Sequence, residues 1–301
     1  MPIKKAVIDV GSHSVLLLIA SESSTGLEII DERYQITRLG LSNSADRQIS
    51  PAGLTATLET IDEYIEICRQ QAVDQTLVVG TAALREAKNQ VQVTAEITAR
   101  INQPVRVLSG SEEARLTRKG AVSGLPCGPD CIVVDLGGHS TEITWPGFET
   151  SLRLGSQRDS QAFLISDPPG PDEILRLGEN VDNLLAGLPK PPVPGELVGS
   201  GGTATSLASL ELALVTYQAD QVQAHLITAA ALDQLIDRLV KAPEQTRRTF
   251  VGLQPERARI IPAGAIILRS IMHWTRRAQI RIAARGLTWG CLLSWEMLLP
   301  G

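Results

Sequence analysis

The sequence predicts an α/β protein made of two related domains. The chain has 301 residues, about twice the ~150 residues of a typical domain. Short runs rich in valine and isoleucine, typical of strands, alternate with segments of helical spacing. The motif Asp9-Val-Gly-Ser-His-Ser14 follows one such run, and Asp135-Leu-Gly-Gly-His-Ser140 follows another. This recurrence indicates an internal duplication of one domain.

The first half predicts the order β-β-β-α-β-α-β-α. Strand-like runs occupy residues 6–10, 15–20, 27–36, 76–79 and 105–108. Ser50-Pro51 predicts a helix start, because serine is a good N-cap and proline fits the first helical turn. Apolar residues then recur at helical spacing to Ala72. Further helical signals reach Arg100 and begin again near Ser111.

The second half restarts the pattern with strands and ends mainly in helices. Strand-like runs occupy residues 131–135, 141–145, 150–154, 196–198 and 279–282. Helices are predicted over residues 172–185, from Thr203 onwards, and through most of 228–297. We place the boundary near residues 124–129, which gives domains at 1–125 and 126–301.

Composition excludes several classes of function. The net charge is −5 and no run is rich in lysine or arginine, which argues against non-specific binding of duplex nucleic acid. Aromatic residues make up only 3% of the chain, so a base-stacking platform for single strands is not expected. We expect no nucleic-acid partner.

Neither a membrane span nor a secretion signal is predicted. The apolar stretch 260–268 is about half the ~20 residues that a span needs. Lys4 and Lys5 precede an apolar run, but Asp9 and His13 interrupt it, so we expect a cytoplasmic protein. The four cysteines include Cys127 and Cys131 without a second ligand pair nearby. We interpret them as reduced structural thiols, with a redox pair as the alternative.

Three glycine-containing turns follow strand-like runs and predict phosphate binding. Glycine allows the backbone to approach an anion closely, successive N–H groups form an anion-binding nest, and the third turn leads into a helix N-terminus. The alternative is that these glycines serve only hairpin turns. The candidate residues are Gly11, Ser12, His13 and Ser14; Gly137, Gly138, His139 and Ser140; and Gly201, Gly202 and Thr203.

Asp9 and Asp135 each stand near the end of an apolar strand, just before a glycine turn. A carboxylate there needs a partner, a turn to cap or a cation. Mg²⁺ takes one or two carboxylates together with substrate phosphates. We therefore predict that these aspartates are metal ligands, and a turn-capping role is the alternative.

A third group of candidates follows the last two strands of the first half. Glu112 and Glu113 lie at a predicted helix start. Ser109 or Ser111 could cap this helix, with a glutamate in its first turn, as in a capping box. Arg85 follows another strand and could bind a phosphate with two nitrogens, or form a surface ion pair.

Ordered motifs extend over nearly the whole chain. They include Val79-Gly-Thr-Ala-Ala-Leu-Arg-Glu-Ala87, Leu108-Ser-Gly-Ser-Glu-Glu-Ala-Arg-Leu116 and Pro255-Glu-Arg-Ala-Arg-Ile-Ile-Pro-Ala-Gly264, with further segments at residues 6–14, 133–142, 154–158 and 199–203. In this order they resemble the exopolyphosphatase/guanosine pentaphosphate phosphohydrolase (Ppx/GppA) family. The resemblance implies two duplicated ribonuclease-H-like domains of the actin-like ATPase superfamily around an interdomain cleft.

The resemblance also implies roles for individual residues. Glu113 falls on the family's catalytic base, with Glu112 as the alternative, and Arg85 on its active-site arginine. The loops that begin at Asp9 and Asp135 fall on phosphate and Mg²⁺ groups, and residues 199–203 on a further phosphate-binding turn. The implied reaction is Mg²⁺-dependent hydrolysis of terminal phosphoanhydride bonds.

Three departures from the family pattern bear on activity. His13 replaces an asparagine, His139 replaces a glycine, and Gly286-Leu-Thr-Trp-Gly290 lacks an Arg-Glu pair. If both loops face one cleft, the histidines could donate to phosphate or bind a soft metal; hydrogen-bonded loop residues are the alternative.

The expected substrate is polyphosphate, in short chains because the additional C-terminal helical domains of longer members are missing. A guanosine polyphosphate is the alternative substrate, and a catalytically impaired nucleotide sensor the alternative class. Self-association into a homodimer stays open.

Overall fold

The computed structural model describes residues 2–23, 26–41, 47–191 and 195–298. The chain forms two compact units. Unit 1 comprises Met1–Leu116 together with Leu287–Gly301, and unit 2 comprises Thr117–Gly286. No helix in the described ranges is long and apolar enough to cross a bilayer.

Unit 1 begins with an antiparallel meander that continues into alternating helices and strands, as predicted. The elements are β1 (Ile3–Val10), β2 (Ser14–Ser23), β3 (Gly26–Ile36), α1 (Pro51–Gln70), β4 (Gln75–Gly80), α2 (Ala82–Glu86), α3 (Gln90–Ile101), β5 (Arg106–Val107) and α4 (Gly110–Val122). Ser50 caps α1, because its side chain accepts a hydrogen bond from the Gly53 N–H.

The sheet of unit 1 has the order β3-β2-β1-β4-β5. β1 pairs antiparallel with β2 and parallel with β4, and β4 pairs parallel with β5. Both faces of the central strands are covered. Val10 and Ile61 belong to the core on one face, and Val7 and Leu18 to the core on the other.

Unit 2 repeats this arrangement with additional helices. Its elements are β6 (Ile132–Leu136), β7 (Thr141–Trp145), β8 (Phe148–Leu152), α5 (Ser156–Phe163), α6 (Pro171–Ala186), β9 (Leu197–Ser200), α7 (Gly201–Glu211), α8 (Ala219–Val222), β10 (Leu226–Thr228), α9 (Ala229–Lys241), α10 (Glu244–Arg247), α11 (Ile261–Thr275) and β11 (Gln279–Ile282). α5 and β10 were not predicted from the sequence, and α7 begins at Gly201, two residues before the predicted start at Thr203. β10 was missed because three residues are too few for an alternating pattern to show.

The sheet of unit 2 has the order β10-β11-β9-β6-β7-β8. β6 pairs antiparallel with β7 and parallel with β9, and β9 pairs parallel with β11. The run β8-β7-β6-β9-β11 therefore has the same order and directions as β3-β2-β1-β4-β5. This correspondence supports the duplication predicted from the recurring motif.

The division between the units differs from the predicted boundary at residues 125 and 126. It falls after Leu116, inside α4, and the last two helices, α12 (Leu287–Leu292) and α13 (Trp295–Leu298), belong to unit 1. Their buried Cys291 and Trp295 side chains share a hydrophobic core with β1 and β2. The helices after Gly286 thus cover one face of the first sheet, which a boundary drawn from sequence order does not anticipate.

Candidate active site

The carboxyl ends of neighbouring parallel strands in unit 1 bring three predicted residues to one edge of the sheet. Asp9 on β1 lies opposite Val79 on β4, and Val79 lies opposite Arg106 on β5. β4 leads into α2, which carries Arg85, and β5 leads into α4, which carries Glu113. Ligand sites of open α/β sheets lie at this edge.

Arg85 and Glu113 form an ion pair at this edge. One terminal nitrogen of Arg85, Nη1, donates to Glu113 Oε2 at 2.7 Å and to the Leu108 carbonyl at 2.9 Å. The Glu113 side chain is only 8% exposed, so the contact orients a buried carboxylate. Among the residues that the structure describes, Nη2 and Nε of Arg85 have no acceptor. They remain available for an anion.

The neighbouring acid, Glu112, caps α4. Its carboxylate accepts from the Ser109 N–H at 2.9 Å and from the Ser109 hydroxyl at 2.8 Å, and its own N–H donates to Ser109 Oγ. This is a capping box. These bonds and the Arg106 guanidinium at 3.0 Å lower the pKa of Glu112 to about 2. The two adjacent glutamates therefore have different environments, and Glu113 is the one that contacts Arg85.

Hydrogen bonds from residues 37–40 fix one side of the first glycine turn, residues 11–14. The Gly11 N–H donates to the Ser14 carbonyl at 3.0 Å, and the Ser12 and His13 carbonyls accept N–H groups of residues 37–40. A carbonyl and the following N–H point in opposite directions across a trans peptide. The His13 N–H therefore points away from residues 37–40, as an anion-binding turn requires.

The second turn repeats this geometry. The Gly137 N–H donates to the Ser140 carbonyl, again at 3.0 Å, and the Gly137 and Gly138 carbonyls accept the first three N–H groups of α5. A Cβ on Gly155, just before α5, would lie 2.5 Å from the Gly138 backbone, so this approach requires glycine. Neither His13 nor His139 has a positive φ, which explains why histidine can replace glycine at 139.

The third turn lies against Asp135. Asp135 on β6 is opposite Ser200 on β9, and α7 begins at Gly201 with a φ of +88°. A Cβ on Gly201 would lie 2.6 Å from Asp135 Oδ1. Burial raises the pKa of Asp135 to about 6, and the nearby Thr117 and Ser200 hydroxyls partly offset the rise. A bound cation would compensate this buried negative charge.

Glu142 is a candidate that the sequence analysis missed. It lies directly opposite Asp135 in the β6–β7 pair, so both side chains project from the same face of the sheet. Glu142 is 2% exposed and accepts a hydrogen bond from Ser151 Oγ at 2.6 Å. The hairpin spacing was an available signal, because pairing Leu136 with Thr141 places residue 142 opposite Asp135.

Arg257 is a second missed candidate. A Cβ on Gly202 would lie 2.3 Å from Arg257 Nη2, so the guanidinium lies directly against the first turn of α7. Arg257 is 6% exposed, and its Nε donates to Gln254 at 3.0 Å. No spacing rule in the sequence distinguishes this arginine, since the contact depends on the tertiary approach of residues 255–257 to α7.

Residues 286–290, the Gly-Leu-Thr-Trp-Gly segment that lacks the family's Arg-Glu pair, form most of α12. This helix packs against α4, which carries Glu113. A Cβ on Gly290 would lie 1.8 Å from the Leu116 carbonyl oxygen, and Leu116 is about one turn beyond Glu113. Thr288 is buried and Trp289 half-buried. Close packing of α12 against α4 therefore explains the glycine at position 290.

The carboxylates of Asp9 and Glu113 are near one buried thiol. Burial raises the pKa of Cys291, and Asp9 and Glu113 raise it further. In the described ranges no three His, Cys, Asp or Glu side chains are grouped as a metal site. Mg²⁺ needs only one or two protein carboxylates when phosphates supply the other oxygens, so Asp135 with Glu142 is a sufficient donor set.

All four cysteines are free, and the Cys127 and Cys131 sulfurs lie 3.6 Å apart. A structural role for these two thiols and a role as a redox pair both stay predictions.

Comparisons with known proteins agree on one family. The sequence profile of the Ppx/GppA phosphatase family matches residues 18–299. Exopolyphosphatase 2 of Mycobacterium tuberculosis is 29% identical over 288 residues, which cover 90% of this chain and 90% of the relative.

Solved structures show the same fold. The Aquifex aeolicus Ppx/GppA enzyme superposes with a TM-score of 0.84 at 29% identity, covering 98% of this chain and 100% of its own. An exopolyphosphatase from Cytophaga hutchinsonii gives 0.87 at 21% identity, covering 97% of each chain. The predicted fold class, two duplicated α/β domains of the actin-like type, is confirmed.

Proposed function

This chain belongs to the Ppx/GppA phosphatase family, and from this premise we propose that it is an exopolyphosphatase that releases the terminal phosphate of polyphosphate. The observation that carries the proposal is the ion pair between Arg85 and the buried Glu113 carboxylate at the carboxyl end of the unit 1 sheet. The name of the Mycobacterium tuberculosis relative supports polyphosphate as the substrate.

In the proposed reaction Glu113 is the general base. Its carboxylate accepts a proton from water as the water oxygen forms a bond to the terminal phosphorus. The bond from that phosphorus to the bridging oxygen breaks, and the shortened chain leaves with the electron pair. The contact with Arg85 keeps the Glu113 carboxylate in one orientation, which favours a defined water position.

Arg85 and the first glycine turn bind the phosphoryl oxygens. Nη2 and Nε of Arg85 donate to oxygens that gain negative charge in the transition state, and the outward His13 N–H contributes a further donor. Unit 2 has phosphate-binding groups of its own, namely the N–H groups of Gly138 and His139, the turn at Gly201 and the adjacent Arg257.

The residues present fit a magnesium ion. Asp135, with Glu142 beside it, would hold Mg²⁺ in unit 2, and Asp9 is the corresponding carboxylate of unit 1. The raised pKa of the buried Asp135 supports this assignment, because a cation would stabilise its ionised form. When bound, Mg²⁺ neutralises charge on the phosphate oxygens.

The test is release of inorganic phosphate from polyphosphates of defined length, with guanosine pentaphosphate as a competing substrate. Each reaction is run with Mg²⁺ and with a chelator. Faster release from polyphosphate, dependent on Mg²⁺, is expected. Faster release from guanosine pentaphosphate would make that nucleotide the substrate. Binding of either compound without phosphate release would indicate a nucleotide sensor and not an enzyme.

A further inference from the structure

A cavity of ≈ 620 Å³ opens in unit 2 at the C-terminal ends of α6 and α11. This volume is in the range of small-molecule sites, roughly 300–1,000 Å³. The cavity is distinct from the phosphate turns. Gly264, in the first turn of α11, adjoins Thr203, whereas Arg276 in the cavity wall follows twelve residues later. At 1.5 Å per helical residue the two places are about 18 Å apart.

The cavity wall combines cationic and apolar side chains. Lys190, Arg269, Arg276 and Arg277 are basic, and His273 is also present. Ala186 is exposed and Trp274 is 8% exposed, so these two residues contribute apolar surface, and Asp182 is the single acid in the lining. The lining thus has four lysine or arginine side chains against one carboxylate, although the net charge of the chain is −5.

Structural roles account for only two of the four cations. Arg269 pairs with Asp233 through Nε and Nη2, at 2.5 and 3.2 Å. Arg277 donates to the backbone carbonyls of Gly195 and Thr275, both at 2.7 Å. These two arginines hold α11 and the segment after it in place.

Lys190 and Arg276 have no such role. Within the described part of the chain, neither side chain forms a hydrogen bond or an ion pair, and the Lys190 ammonium lies 5.4 Å from the centre of the Trp274 ring. Basic residues near a helix end also complement the helix dipole. The end of α11 is already bonded, because the Arg276 and Arg277 N–H groups donate to the His273 and Met272 carbonyls at 3.0 Å.

We propose that this cavity binds a phosphate-bearing ligand with a planar apolar group, that is, a nucleotide. The phosphate lies between Lys190 and Arg276, which supply charge and directed donors. The base lies against Ala186 and Trp274, whose apolar surface offers no hydrogen bond to a bare phosphate chain. The site is independent of the phosphatase reaction proposed above.

Adenosine monophosphate is the probe, because it has no phosphoanhydride bond to hydrolyse. Its binding to the full chain is measured by calorimetry beside ribose 5-phosphate and inorganic phosphate. We expect adenosine monophosphate to bind at least about tenfold more tightly than the other two, since only it carries a base. The double variant Lys190→Glu/Arg276→Glu should weaken that binding at least about tenfold, because both attractions become repulsions.

The matched control is Arg176→Glu, a charge reversal on the exposed face of α6 outside the cavity, which should leave binding unchanged. Glu113→Gln should also leave the affinity for adenosine monophosphate unchanged, and the double variant should release phosphate from tripolyphosphate within about twofold of the parent rate.

Equal affinity for all three probes would refute the nucleotide assignment. Binding that survives the double reversal, or no binding at millimolar ligand, would refute the site. Loss of phosphatase activity in the parent would affect only the proposed function.

Discussion

Replacing Glu113 by glutamine tests the assignment of the general base. The amide keeps the size of the side chain, and its oxygen can still accept from Arg85 Nη1, which is 2.7 Å from Glu113 Oε2 in the parent. The fold should therefore survive, with a loss of about 1 kcal/mol, because the acceptor of the bond from the charged Arg85 guanidinium becomes neutral. The amide cannot take a proton from water, so kcat should fall about 10²–10⁴-fold with little change in KM.

Glu112→Gln is the matched control, because it makes the same chemical change one residue earlier. Glu112 caps α4 and is about one-third exposed, so solvent screening limits its contribution to about 1–2 kcal/mol. This variant should lose stability and keep phosphate release close to the parent rate.

The pH dependence of that control has a defined sign. The folded-state pKa of Glu112 is depressed to about 2, so its stabilisation is present above its ordinary pKa of 4.5 and is lost as the pH falls towards 2. Urea unfolding of the parent and the variant should differ at pH 6 and converge near pH 2. A near-parent rate in Glu113→Gln, or an equal rate loss in Glu112→Gln, would refute the assignment of the two glutamates.

Three further predictions concern packing, titration and the phosphate-binding arginine. Gly290→Ala should lower the free energy of unfolding by about 3 kcal/mol or more, because its Cβ would lie 1.8 Å from the Leu116 carbonyl oxygen. The control is Gly178→Ala in α6, where nothing lies within 4 Å of the added Cβ, and it should be neutral or stabilising by up to about 1 kcal/mol. Equal urea midpoints for the two variants would contradict the packing argument. Burial raises the pKa of Asp159 to about 6, so stability should fall by on the order of 2 kcal/mol as the pH rises from about 4 to above 6, and Asp159→Asn should flatten that part of the urea-midpoint profile; a parallel profile would show that another group is responsible. Arg85→Lys should lower kcat about 10²-fold with an unchanged circular dichroism spectrum, since an ammonium cannot contact Glu113, Leu108 and a phosphate together, and full activity would exclude a role for the guanidinium.

The order of strands and helices along the first half of the chain and the duplication were predictable because they depend on local patterns. Alternating and continuous apolar runs specify strands, and the repeat of Asp-x-Gly-x-His-Ser relates β6 to β1 without any knowledge of contacts. The cap at Ser50 and the capping box at Ser109 and Glu112 are equally local. Each involves residues within about four positions of each other, so spacing alone can reveal them.

The position of Glu142 was predictable from the local sequence, but its environment was not. Its position opposite Asp135 follows from hairpin register, which a closer analysis of the β6–β7 spacing would have supplied. Its burial and its bond to Ser151 depend on the third strand, β8, and could not be read from that spacing.

The amino-acid order by itself determined the family, the two-fold repeat of the sheet and the residues of the glycine turns, because those properties reside in contiguous motifs. Only the tertiary structure placed Arg257 against Gly202, α12 on unit 1, and Lys190 and Arg276 in the lining of one cavity. Each of these contacts joins segments far apart in the chain. Their approach depends on which side chains fill the space between helices, and no local periodicity encodes that packing.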